Sequence, residues 1–180
     1  MEVVTGKSRK MLIDKFLPNF TFNEIHKTKV NSTPEKIYPI LPSLDFSDSW
    51  ISKILFRLRG LPVEEFNFKS MFEGMKFSIL EENQPNEILI GLLVNSKPET
   101  VKIPNSDFFV KFNENNSLKI AWNFTLEKLS DSQTLVQTET RILCSGKKMK
   151  NRFSIYWFFV RPFSGLIRME MLKIVKKKCE

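Results

Sequence analysis

Residues Arg152 to Cys179 read as one long, mostly apolar helix broken once, at Pro162, and they follow closely on a pair of strongly alternating strands. The central stretch, Phe153 to Arg168, is too apolar for a surface helix, yet the charges around it are too many for a membrane span. Such a segment has to lie against a large apolar surface, and the preceding strands offer one. Leu118, Ile120, Trp122, Phe124 and Leu126 alternate with Lys119, Ala121, Asn123, Thr125 and Glu127, so one face of this strand is buried. The turn Ser130-Asp131-Ser132 returns the chain into Thr134 to Cys144. A hairpin centred on Asp131 sets Phe124 opposite Thr138 and Trp122 opposite Thr140, which places two hydroxyls on an otherwise aromatic face.

Upstream, Phe20 to Asn31 reads as a strand with Phe20, Phe22, Glu24, His26, Thr28 and Val30 on one side, apolar at both ends and polar in the middle. Ser32-Thr33-Pro34-Glu35 opens a short helix. Thr33 caps it, Pro34 takes the first helical position, where no N–H is needed, and Glu35 complements the dipole. Pro42 ends it. A second helix runs from about Asp48, carries Trp50, Ile51, Ile54, Leu55 and Leu58 at helical spacing, and stops at Gly60-Leu61-Pro62. Residues 63 to 74 read as a short helical connector. Met75, Phe77 and Ile79 alternate, turn material from Glu81 to Asn86 follows, and Glu87 to Val94 is a near-continuous apolar run, giving two more strands. Residues 95 to 107 read as a loop across one end of the sheet, and residues 1 to 18 as a loosely structured lead-in.

This order of strand, helix pair, antiparallel strands and long final helix resembles the helix-grip fold of the SRPBCC superfamily. That superfamily contains START lipid-transfer domains, birch-pollen-allergen-like proteins and polyketide cyclases. Four segments resemble, in order, an uncharacterised bacterial branch of it: Arg57 to Pro62, Glu87 to Leu92, Thr138 to Ile142, and Arg152 to Trp157 leading into Ser164 to Leu172. The likeness departs at Asn95-Ser96-Lys97-Pro98, where the branch places a Trp. It implies an α+β fold in which a curved antiparallel sheet wraps around the C-terminal helix, with two short helices after the first strand. It also implies a single START-like domain over residues 19–180 and a space between sheet and helix filled by side chains or by a ligand.

Seventeen Phe against one Ala and six Gly mean that large side chains fill or surround the interior. Phe22, Trp122, Phe124, Phe153, Tyr156, Trp157 and Val160 are the expected wall, with Thr138 and Thr140 available to hydrogen-bond a ligand's polar end. The expected function is therefore binding or transport of a hydrophobic small molecule, a lipid or an aromatic metabolite, without catalysis. The alternative is a cyclase, dehydrase or hydrolase in the same cavity. Glu24 and His26 stand at i and i+2 on one face, and a half-buried carboxylate beside an imidazole suits proton transfer. Glu139 and Arg141 point to the other face, where a pairing across strands is expected, and Arg168 and Glu170 read as surface or rim contacts.

Other chemistries lack their residues. There is no Cys/His cluster for a metal, no nucleophile elbow around a serine, and no cofactor motif; Cys144 and Cys179 read as unpaired thiols. The net charge of +8 gathers at Lys7, Arg9, Lys10 and Lys15 and again at Lys173 and Lys176 to Lys178. No zinc finger, RNA-binding aromatic signature or helix-turn-helix accompanies it, so nucleic acid is not an expected partner. The basic C-terminus suits a weak contact with anionic membrane. Met11-Leu12-Ile13 is interrupted at once by Asp14 and Lys15, which is no signal-peptide core, so a cytoplasmic location is expected. The oligomeric state is not written in these residues.

Overall fold

The computed structural model describes residues 10–44 and 76–180. The second helix expected from about Asp48 and the connector over residues 63 to 74 lie outside the described residues. Leu12–Phe16 form α1 and Phe22–Val30 form β1. Pro34–Ile37 form α2, which runs directly into a 3-10 turn over Tyr38–Ser43. Two short helical segments thus follow the first strand. Pro39 and Pro42 lack the N–H that would continue an α ladder, so the helix tightens and stops. Then come β2 (Ser78–Asn83), β3 (Glu87–Val94), β4 (Thr100–Val101), α3 (Ser106–Lys111), β5 (Leu118–Ser130), β6 (Gln133–Cys144) and α4 (Lys147–Cys179).

The described strands make one antiparallel sheet in the order β1-β6-β5-β3-β2, with β4 paired to the end of β3. Bulges between Ile79 and Glu81 and between Lys128 and Ser130 add twist, and the sheet curves around α4. The register pairs Phe124 with Thr138 and Trp122 with Thr140. Extended across four strands, it puts Glu24, Thr140, Trp122 and Ile90 in one row and His26, Thr138, Phe124 and Ile88 in the next. The fold is α+β helix-grip: a curved antiparallel sheet wrapped around a long C-terminal helix.

The inner face carries two apolar clusters. One joins Ile88, Ile90, Trp122, Phe124, Leu126 and Val136 to Ile167, Met171, Leu172 and Val175 of α4 and to Ile37 and Leu41. The other joins Leu118, Ile142 and Cys144 to Met149 and Trp157, with Phe22 and Phe153 against it. The outer face is covered too, and here the structure corrects the sequence reading. Ile13 and Phe16 of α1, with Leu17, pack on Leu89, Leu93, Ala121 and Phe109 of α3, so part of the expected lead-in is a helix seated in a core. The expected loop over residues 95 to 107 likewise holds β4 and the start of α3.

Pro162 does not break α4, which is continuous from Lys147 to Cys179. It stands on the outward side near the exposed Phe158, where a carbonyl deprived of its N–H partner can meet water. Glu139 and Arg141 do face outward, but they pair along their own strand at 2.7 Å rather than across strands, and Arg141 reaches Asp14 at 2.7 Å. They are buried beneath α1.

Candidate functional site

Between the two inner clusters the middle of α4 passes close to the polar part of β1. A Cβ on Gly165 would stand 2.9 Å from Glu24 Oε1 and 3.4 Å from His26 Cε1, so the missing side chain at position 165 lets the helix lie against both without displacing them. Glu24 Oε1 lies 3.0 Å from His26 Nε2. Its other oxygen, Oε2, lies 3.9 Å from Arg168 Nε, an ion-pair distance. The Arg168 guanidinium in turn stands 5.0 Å from the centre of the Trp122 ring. Arg168 was expected at the surface or rim; a carboxylate and an indole face draw it inward instead. Glu170 pairs with Lys173 at 3.4 Å.

A cleft of about 720 Å³ opens where β1 meets α4, lined by Asn23, Glu24, Ile25, His26, Arg161, Pro162, Gly165, Leu166 and Met169. Glu24 and His26 are the sequence-derived candidates that line it. Trp122, Phe124, Thr138 and Thr140 are buried behind them. Trp122 Nε1 donates to Thr138 Oγ1 at 2.6 Å, Thr138 donates to the Asn123 carbonyl at 3.0 Å, and the Trp122 and Phe124 rings are 5.2 Å apart. Phe22, Phe153 and Trp157 pack on one another with ring centres 5.6 to 5.9 Å apart, at one end of the cleft-bearing strand and helix. Tyr156 is half exposed, and Val160 is partly buried. The expected wall is therefore split into a packed floor, an aromatic plug and one outward residue.

Three buried oxygens have no hydrogen-bond partner among the described residues: Asn23 Oδ1, Glu24 Oε2 and Thr140 Oγ1. Buried polar atoms are rarely left so; Glu24 and Thr140 sit opposite each other on neighbouring strands of the inner face, whereas Asn23 is in register with the outward Arg141. Burial pushes the Cys144 thiol up, away from the thiolate that nucleophilic attack needs. No group of three His, Cys, Asp or Glu side chains is arranged for a metal among the described residues. Sequence reasoning missed Asn23, Ile25, Gly165, Leu166 and Met169, and took Arg161-Pro162 only as a break in the helix. One signal was present, since Gly165 is the one glycine within a 33-residue helix and such a residue marks a close approach.

No family model matches the chain, and no curated protein does either. Among solved structures, an aromatase/cyclase from a Streptomyces species is similar at 11% identity and a TM-score of 0.36, over 88% of this chain and 93% of that one. A conserved protein from Geobacillus kaustophilus is similar at 12% identity and 0.37, over 88% and 95%. A START superfamily protein from Mycobacterium smegmatis is similar at 11% identity and 0.35, over 87% and 96%.

Proposed function

We propose that the chain binds a hydrophobic small molecule, a lipid or an aromatic metabolite, in the cleft between β1 and α4. The observation that carries this reading is the pairing of a cleft of about 720 Å³ with a lining that is apolar at Ile25, Pro162, Leu166 and Met169 and polar at Asn23, Glu24, His26 and Arg161. Volumes of this order suit a ligand of drug or lipid-fragment size. Burying about 200 Å² of apolar ligand surface is worth roughly 5 kcal/mol before the loss of motional freedom is set against it. The ligand's polar end meets the Glu24 and His26 side chains that line the cleft. Trp122, Phe124 and Thr138 support the floor, and Phe22, Phe153 and Trp157 close one end. The four segments that resemble a bacterial branch of the SRPBCC superfamily support the container, not a reaction.

The test is a thermal-shift and fluorescence-displacement panel of fatty acids, phospholipids and polycyclic probes. A bound probe raises the melting temperature by mass action. Ile25→Asp, which places a charge at an exposed position of the cleft lining, loses the shift, with circular dichroism confirming its fold. A panel in which no probe shifts the melt, or a folded Ile25→Asp chain that binds as tightly as the wild type, sinks the proposal.

The Glu24–His26 contact favours a second reading, acid/base catalysis in the same cleft. With Nε2–H donated to Glu24, His26 Nδ1 is left as the proton acceptor. Under this reading His26→Ala abolishes turnover of a cleft-bound substrate and leaves its uptake intact, and unchanged turnover removes it.

A further inference from the structure

The outward side of α4 carries an apolar stripe that the described fold leaves open. Phe158 is 77% exposed, Ile155 66% and Phe159 65%, and the stripe continues through Phe163, Leu166 and Met169. At 1.5 Å per residue it extends for about 21 Å along the helix. Exposed Lys148 and Arg152 stand before it and exposed Lys173 and Lys177 after it. From Lys147 to Met169 the helix has no Asp or Glu at all; the first acid, Glu170, is half-buried and engaged with Lys173.

We propose that this side of α4 docks on an anionic lipid bilayer, with Ile155, Phe158 and Phe159 entering the headgroup boundary and the flanking cations meeting lipid phosphates. An apolar centre between basic ends is the pattern of a helix lying in the plane of a membrane surface. No described helix is long and apolar enough to cross a membrane, so the stripe lies on the bilayer and does not span it. A second copy of the chain is a poor occupant. A two-fold pairing of this stripe with itself brings basic ends against basic ends in either direction, whereas a negatively charged surface satisfies both at once. The docking stands apart from ligand binding in the cleft. Leu166 and Met169 belong to both surfaces, however, so the cleft opens beside the lipid.

The experiment is co-sedimentation of the full chain with vesicles of phosphatidylcholine alone and of phosphatidylcholine with phosphatidylglycerol at about 7:3. Binding is expected to the mixed vesicles, to weaken as salt rises, and to fall about tenfold in Phe158→Ser/Phe159→Ser, which leaves charge unchanged and removes only exposed rings. The melting temperature of that variant verifies its fold. Lys148→Gln/Arg152→Gln weakens binding as well. A serine variant that binds like the wild type reduces the effect to the general attraction of a cationic chain and overturns the proposal. Equal binding to neutral vesicles overturns it too. So does light scattering that finds a wild-type dimer which the serine variant turns into monomers, since the stripe then belongs to a second copy.

Discussion

Replacing Arg141 by Met removes a guanidinium that joins α1 to the outer face of the sheet. Nε is 2.7 Å from Glu139 Oε1, a second nitrogen is 2.7 Å from Asp14 Oδ1, and a third donates to the Leu17 carbonyl at 3.2 Å. Burial alone would pull the guanidinium down, but Glu139 and Asp14 outweigh it and hold the cation charged. The Glu139 side chain is only 2% exposed, so after the substitution it is a carboxylate in the interior without its cation. Breaking a buried pair in this way costs about 3–5 kcal/mol. Asp14, 34% exposed, can turn to water and adds little. At roughly 2–4 °C per kcal/mol for a chain of this size, the melting midpoint falls by about 6–20 °C. Urea unfolding followed by circular dichroism measures the loss. Adding Glu139→Gln to Arg141→Met removes the stranded charge and restores about half of it, which a double-mutant cycle resolves. An Arg141→Met chain within about 0.5 kcal/mol of the wild type, or a double variant as unstable as the single one, refutes the reasoning.

The Tyr38 hydroxyl donates to Glu82 at 3.0 Å, and burial together with that carboxylate pushes its pKa up. The folded chain keeps a proton that the unfolded chain releases near pH ~10, so this contribution is complete below that pH and is lost as pH rises further. Unfolding free energy declines above about pH 10, and Tyr38→Phe flattens the decline; an unchanged slope in the variant counts against it. Gly91→Ala sets a Cβ 2.7 Å from Leu80 Cδ1 and destabilises by about 1–3 kcal/mol in urea unfolding, unless Leu80 swings aside freely, which a neutral result would show. Cys144, 8% exposed, reacts with an aromatic disulfide reagent far more slowly than Cys179, and equal rates would place Cys144 outside its cluster.

The β5–β6 hairpin was legible because two independent signals agree. Strict alternation fixes which side chains share a face, and the short turn fixes which positions face each other, so Phe124 meets Thr138 as expected. β1 was legible from its alternation alone, which puts Glu24 and His26 on one face. α1 was not. Five residues interrupted by Asp14 and Lys15 carry too little periodicity to register, and the meaning of Asp14 lies in an arginine 127 positions away. The position of Arg168 was hidden in a similar way. An arginine on a helix usually faces water, and only the joint placement of Glu24 and Trp122 turns this one inward. Pro162 misled because the penalty for a proline inside a helix depends on whether the freed carbonyl can reach solvent, which is a property of the packed helix and not of its sequence.

The polar patch has a cost that makes its position informative. Along β1 the inward side chains run from Phe22 through Glu24, His26 and Thr28 to Val30, and the same row of β6 holds Thr140 and Thr138 between Ile142 and Val136. Apolar residues at these central places would join the two inner clusters into one continuous core, and replacing a buried ion pair by apolar side chains is often neutral or favourable by about 1–4 kcal/mol. The chain instead keeps a carboxylate, an imidazole, two hydroxyls and a guanidinium there, and sets the one glycine of α4 against them. Stability does not call for that arrangement, and the proposed ligand binding accounts for it: a molecule with an apolar body and a polar end is held in one orientation by a fixed polar contact at the cleft.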